Sequence, residues 1–365
     1  MPNRRHLLQA AAAAAGSLTL PLAAFAQERR FAPQPGEWRT FELTTRAEPN
    51  LAQGATRVWL PIPSIDSEWQ RSHESSFSTN GSATRVTDGR EGAKILQVDF
   101  DASVAQPFVE LTSRVQTRNR ATDWQRKTPL KLEAADAAYW TQPTSLIPTD
   151  GIVRDTARKA VGDARSDEEK VRRLYDWVVA NAYREPQVRG CGEGDIKTML
   201  ETGNLGGKCA DINALFVGLS RSVGIPARDV YGVRLAPSAF GYKELGGNPA
   251  SLKGAQHCRA EVFLQAHGWV AMDPADVAKV MRQETPTWIK TVQDPVVAPV
   301  YRALYGGWEG NWLGFNTAHD VALPGSRMGK LGFLMYPTAE DKQGRFDSYA
   351  PDDFKYTITA REVKV

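Results

Sequence analysis

The sequence predicts an α+β protein: an N-terminal β-sandwich-like domain, then a mixed domain in which a helix packs on an antiparallel sheet. Three observations carry this. From Gly36 to about Arg120, apolar and polar residues alternate with period two, broken by the turn dipeptides Asn80-Gly81 and Asp88-Gly89. From about Ile152 to Val223 the apolar positions change to helical spacing. After Pro226 the alternation returns in ARDVYGVRL, HCRAEVFL and HGWVAMD. At 365 residues, 42% of them hydrophobic, the chain is too long for one small core, so more than one folding unit is expected.

Residues 1–26 read as an export signal. Arg4 and Arg5 precede a mildly apolar Ala/Leu stretch, and Ala24-Phe25-Ala26 forms a cleavage pattern. Adjacent arginines favour the twin-arginine route and a periplasmic or secreted location. Cleavage removes two arginines and no acid, which brings the whole-chain charge of +3 close to neutral. Residues 27–135 form the β domain, with strands expected in WRTFELTTR, TRVWLPIP, KILQVDF and PFVELTSRVQTR. The stretch from Trp124 to Gly151, ending in TQPTSLIPTDG, reads as a surface linker.

The helix–sheet domain spans 136–285. Its first helix runs from about Ile152 to Val161, and a second opens at Ser166 with Glu169 three residues on, a capping-box pattern. Val171, Leu174, Trp177 and Val178 form that helix's apolar stripe, and Gly190-Cys191-Gly192 reads as a flexible loop. Residues 286–365 form a C-terminal extension with Trp288, Trp308 and Trp312 in loop-like context. Its strand candidates, LGFLMY and FKYTITAREV, are expected to pack on the core.

Composition excludes several functions. No apolar run long enough to span a membrane occurs beyond the N-terminal segment, and no Lys/Arg cluster interleaved with aromatics suits nucleic acid. Cysteine and histidine spacings lack C-x-x-C and H-x-x-x-H, and no D-x-D-x-D-G loop occurs, so neither metal nor cofactor is expected. Three cysteines, Cys191, Cys209 and Cys258, leave an odd thiol in an exported chain.

Cys209 follows Gly206-Gly207-Lys208 and opens a helix whose apolar positions are Ile212, Leu215, Phe216, Leu219 and Val223, closed by Gly224-Ile225-Pro226. A thiol in the first helical turn meets unpaired N–H groups and the positive end of the helix dipole, which favour the thiolate. The two glycines read as a sharp turn that leaves the sulfur approachable. This placement suits a nucleophile and a small core cysteine equally.

Downstream residues bear on that choice. In HCRAEVFL, Cys258, Ala260, Val262 and Leu264 share an apolar face, and His257, Arg259 and Glu261 share a polar one. Cys258 is therefore read as a buried structural thiol and His257 as free for chemistry. A short hairpin around Ala266–Gly268 brings Asp273 beside His257. A thiol, an imidazole and a carboxylate so placed are the parts of a nucleophile–base–orienter triad. Asp276 is a second orienter candidate, and Tyr183 and Gln187 are candidates for a second oxyanion donor. His319 and Cys191 are read as structural.

GGKCADINALFVGLSRSVGIPAR, QHCRAEVFL and GWVAMDPAD together resemble the transglutaminase-like superfamily of papain-like thiol enzymes, over about residues 140–280. The resemblance implies a papain-like core with Cys209, His257 and Asp273 as the triad, and a peptide or protein substrate. It does not fix the reaction: hydrolysis of peptide or isopeptide amide bonds through a thioester is expected in a water-rich compartment, with protein cross-linking by transamidation, or a non-catalytic module that grips a peptide or envelope polymer with its C-terminal tryptophans, as alternatives.

Overall fold

The computed structural model describes residues 30–89 and 91–364. The export signal, residues 1–26, lies outside the described residues. Among them, no helix is long and apolar enough to cross a membrane. The fold is α+β with antiparallel sheets.

Two four-stranded sheets form the β domain. One runs in the order 356–363, 39–47, 109–117, 70–79; the other runs 338–340, 56–62, 93–100, 82–88. Alternation sends Phe41, Leu43, Leu111 and Val115 of the first sheet, and Val58, Leu60, Val98 and Phe100 of the second, into one core. Each sheet contains a strand from the chain's C-terminal part: Tyr356–Val363 pairs with Arg39–Ala47, and Thr338–Glu340 with Thr56–Ile62. The extension over 286–365 is thus shared out rather than held together. The physical reason is edge pairing, which satisfies backbone groups that strands 39–47 and 56–62 would otherwise expose.

The second half is built on a sheet ordered 268–272, 256–264, 227–234, 312–316. Helix Cys209–Ser222 lies against it, buried along almost its whole length, and helices Gly151–Val161 and Asp167–Asn181 cover the other side of that helix. The Ser166 hydroxyl accepts from Glu169 N–H and the Glu169 carboxylate accepts from Ser166 N–H, so the capping box forms as expected. In the stripe of that helix Tyr175 is buried, whereas Trp177 is only half-buried. Gly224, with φ of +84°, ends the Cys209 helix, and Pro226 prevents its resumption.

The two halves are stitched at the sheet's far edge. Gln70 donates to Gly314 O (2.7 Å) and accepts from Gly314 N–H (2.8 Å). Arg120 reaches Glu261, and strand Arg120–Ala121 pairs with Gly307–Trp308. The β domain therefore braces the sheet that carries His257.

Candidate active site

Asp211, at the third position of the Cys209 helix, organises the turn that presents Cys209. Its Oδ2 accepts from Lys208 N–H (2.8 Å), and its Oδ1 accepts from Glu193 N–H (3.0 Å) and Gly194 N–H (2.9 Å). Gly206 and Gly207 are extended and pair in parallel with Tyr183–Arg184. They serve close approach rather than a sharp turn: a Cβ on Gly207 would lie 2.5 Å from that of Asp211, and one on Gly206 would lie 2.6 Å from the Tyr183 ring.

Strand Gln256–Leu264 brings His257 to the helix start, and the hairpin at Gly268, with φ of +74°, returns the chain to Asp273. Asp273 also caps helix Pro274–Gln283, its Oδ1 accepting from Asp276 N–H (3.1 Å). That first helical turn places a second carboxylate at the same ring nitrogen. His257 Nε2 lies 2.8 Å from Asp273 Oδ2 and 3.3 Å from Asp276 Oδ2. Asp276 is in turn 2.5 Å from Arg234 Nη2, and Asp273 is 3.4 Å from Arg259 Nε.

All these groups are buried, so their charges act through little water. Burial lowers the His257 pKa, but Asp276 and Asp273 outweigh it and carry it to about 9. Burial likewise raises the Cys209 thiol, yet the adjoining Cys191 and Cys258 thiols and His257, with the imidazolium charge, bring it well below the ordinary thiol value. Arg234 and His257 hold the Asp276 carboxyl far below the usual carboxylate range against burial. Both shifts favour a thiolate beside an imidazolium over the neutral pair.

A cavity of about 610 Å³ opens on this pair, lined by Cys209, His257 and Asp276 together with Cys191, Gln256 and Tyr336. The ligand atoms of His257, Asp273 and Asp276 lie within 4.8 Å of one another, a spacing open to a metal ion. Arg234 and Arg259 already supply positive charge there, so the set fits a hydrogen-bonded ion cluster better than a cation cage.

The family model for the transglutaminase-like superfamily matches residues 154–274, a span that contains Cys209, His257 and Asp273. A Haemophilus influenzae protein described as uncharacterized is 34% identical over 342 residues, covering 89% of this chain and 90% of its own. The chain belongs to the transglutaminase-like superfamily. The fold agrees. The solved structure of a candidate cysteine protease from Cytophaga hutchinsonii superposes with a TM-score of 0.51 at 15% identity, covering 90% of this chain and 99% of that one. The periplasmic domain of TgpA from Pseudomonas aeruginosa is more distant, with a TM-score of 0.36 at 17% identity over 76% of this chain and 95% of its own.

Within this transglutaminase-like core, several residues sit differently from their sequence reading. Cys191, read as structural, forms the cleft wall: its thiol donates to Gln256 O (3.3 Å) and accepts from Tyr336 Oη (3.0 Å). Cys258 is buried on the helix-facing side as expected, but there it meets the Cys209 thiol. Tyr183 is tied to Asn204 Oδ1 (3.0 Å) and Gln187 is exposed; the cleft lining includes neither, although it includes Arg184 between them in sequence. His319 lies apart from the cleft, 3.2 Å from Tyr231 Oη and 3.5 Å from Asp229.

Trp308 and Trp312 are 1% exposed and pack on Trp69 and the Arg259 guanidinium, so they cannot grip a ligand. That packing also buries the strand face read as polar, where Glu261 is paired with Arg120 and Arg228. Trp312 Nε1 donates to His257 O (2.8 Å), fixing the strand at that residue.

Asn213 escaped the sequence reading. Fully buried one turn beyond Cys209, it donates to Cys258 O (2.8 Å) and accepts from Ala275 N–H (3.3 Å), locking helix, strand and Asp273 turn together. Its signal was a polar side chain inside an apolar helix.

Proposed function

We propose that this transglutaminase-like chain is an exported thiol hydrolase that cleaves peptide or isopeptide amide bonds through an acyl-thioester, with Cys209, His257 and Asp273 as its triad. Cys209 at a helix start and His257, hydrogen-bonded to Asp273, lining one 610 Å³ cleft is the observation that carries this reading, and the shifts that favour the thiolate and imidazolium support it. Cys209 Sγ attacks the acyl carbon, and the Cys209 N–H, at the first helical position, faces the developing oxyanion. His257 Nδ1 gives its proton to the leaving amine, and the C–N bond breaks. His257 then removes a proton from water, which attacks the thioester and regenerates the thiolate. Asp273 holds Nε2–H throughout, fixing ring orientation and stabilising the imidazolium. The N-terminal signal sends the enzyme to the periplasm or beyond, where water is the abundant acceptor.

Incubation with peptide-amide and isopeptide libraries should give cleavage that Cys209→Ala and His257→Ala each reduce by about a thousandfold or more. Cleavage unchanged in both variants sinks the mechanism. Incorporation of added primary amine in preference to hydrolysis would instead make the chain a protein-glutamine cross-linker working through the same thioester.

A further inference from the structure

The cleft walls contain more positive charge than the chain itself answers. Arg184, Lys208, Arg234, Lys253 and Lys279 line it, against Asp276 and the Cys209 thiolate as the anionic lining groups. Three of these cations have partners: Arg234 with Asp276 (2.5 Å), Lys253 with Asp352 (2.5 Å) and Lys279 with Glu244 (3.3 Å). Among the described residues, Arg184 donates only to the neutral Gln283 Oε1 (3.0 Å), and Lys208 has no carboxylate within ion-pair distance, although the Asp211 charge acts on it from farther off.

These two lie side by side. Strand pairing sets Arg184 opposite Gly207, the residue before Lys208, so both flank the backbone that leads into Cys209. Both are half-buried, and burial with the neighbouring guanidinium pushes the Lys208 ammonium below its ordinary range, against the Cys191 and Cys209 sulfurs and the Asp211 carboxylate, which pull it back. The Cys209 sulfur and the Asp211 carboxylate offset part of the charge at Lys208, whereas Arg184 has no carboxylate within ion-pair distance among the described residues. Gln256 adds an independent sign. It is 6% exposed, lines the same cleft one residue before His257, and has neither amide atom hydrogen-bonded among the described residues. A buried amide left unsatisfied at a cavity wall awaits a polar ligand.

We propose that Arg184 and Lys208, with the Gln256 amide, form an anion subsite that selects acyl donors bearing a free carboxylate within one residue of the scissile carbonyl. This rests on Cys209 being the nucleophile. The carboxylate supplies the charge missing from the wall, and the two cations hold the donor with its carbonyl over the sulfur. Acidic peptides, and isopeptides whose acidic residue retains a free α-carboxylate, are the substrate class.

Iodoacetate and iodoacetamide differ only in carboxylate against carboxamide, so their relative rates of alkylating Cys209 in the full chain, read by peptide mass mapping, report the subsite without requiring amide cleavage. The chain should raise the iodoacetate-to-iodoacetamide ratio about tenfold over that of free cysteine, as charge-assisted hydrogen bonds allow. Arg184→Gln and Lys208→Gln should each remove most of that gain, lowering the iodoacetate rate more than the iodoacetamide rate, and Lys253→Gln, whose charge Asp352 already answers, should retain it. A ratio that stays at the wild-type value in both Arg184→Gln and Lys208→Gln overturns the subsite. So does a parallel fall in both rates, which would assign the two cations to thiolate stabilisation alone. An intact ratio effect in a chain that cleaves no amide sinks the hydrolase reading and leaves the subsite standing.

Discussion

His257 is held at one ring nitrogen by two carboxylates that do different work. Asp273 is nearer and better aligned, whereas the Asp276 charge contributes more to raising the imidazole pKa. With that pKa at about 9, the imidazolium persists below pH 9 and is lost as pH rises through it, so kcat/KM should decline above about pH 9. Asp276→Asn removes the main raising charge and leaves the buried Arg234 guanidinium unanswered beside the ring. Both changes lower the imidazole pKa, so this limb should move down by about a unit or more. Asp273→Asn should instead depress the plateau, by about 10² to 10⁴, because ring orientation is lost at every pH. Superimposable pH–rate profiles for the two variants would contradict this division of labour.

At the scale of elements, the Cys209 helix start depends on one carboxylate. Asp211, itself buried, accepts three backbone N–H groups from two separate segments, 193–194 and 208, and of those donors the Gly194 N–H is buried with it. Asp211→Ala should cost about 2–4 kcal/mol in denaturant unfolding and should slow Cys209 alkylation by loosening the turn. A loss below about 0.5 kcal/mol would mean that the loop repacks without it. The helix, the capping box at Ser166 and the hairpin before Asp273 were legible in the sequence because each is set by residues a few positions apart. The meeting of His257 with Asp273 followed from the hairpin between their strands, whereas alternation along HCRAEVFL set His257 on the face opposite Cys258, and both of these residues act on the Cys209 thiol. What escaped depends on distant partners: Asp211 with Glu193 and Gly194, Trp312 with the His257 carbonyl, and Arg234 with Asp276. No period or turn signal records such pairings. The face of Arg259 and Glu261 looked solvated for the same reason, since the tryptophans and arginines that cover it come from other parts of the chain.

For the whole molecule, the C-terminal strand links the β domain to the cleft. Tyr356–Val363 is the edge strand beside Arg39–Ala47, and its Ile358 carbonyl accepts from Leu252 N–H (2.8 Å) while Ala360 N–H donates to Pro249 O (2.9 Å). Those last two contacts hold the 246–255 segment that forms one wall of the cavity, and Tyr356 itself lines it. Removing residues 355–365 therefore frees two remote places at once. Hydrogen exchange should rise about ten- to a hundredfold in strand 39–47 and around 249–252, because both lose their hydrogen-bond partners. Helix 209–222 should retain its protection, since the sheet 227–272 and helices 151–181 pack on it independently of the C-terminal strand. Peptide-resolved deuterium uptake separates these regions. If 249–252 exchanges as slowly in the shortened chain as in the full one, the wall is held from the sheet side alone. If helix 209–222 loses protection in step with strand 39–47, the two halves unfold as one cooperative unit, and the stitching through Gln70 and Arg120 is then tight enough to transmit the loss.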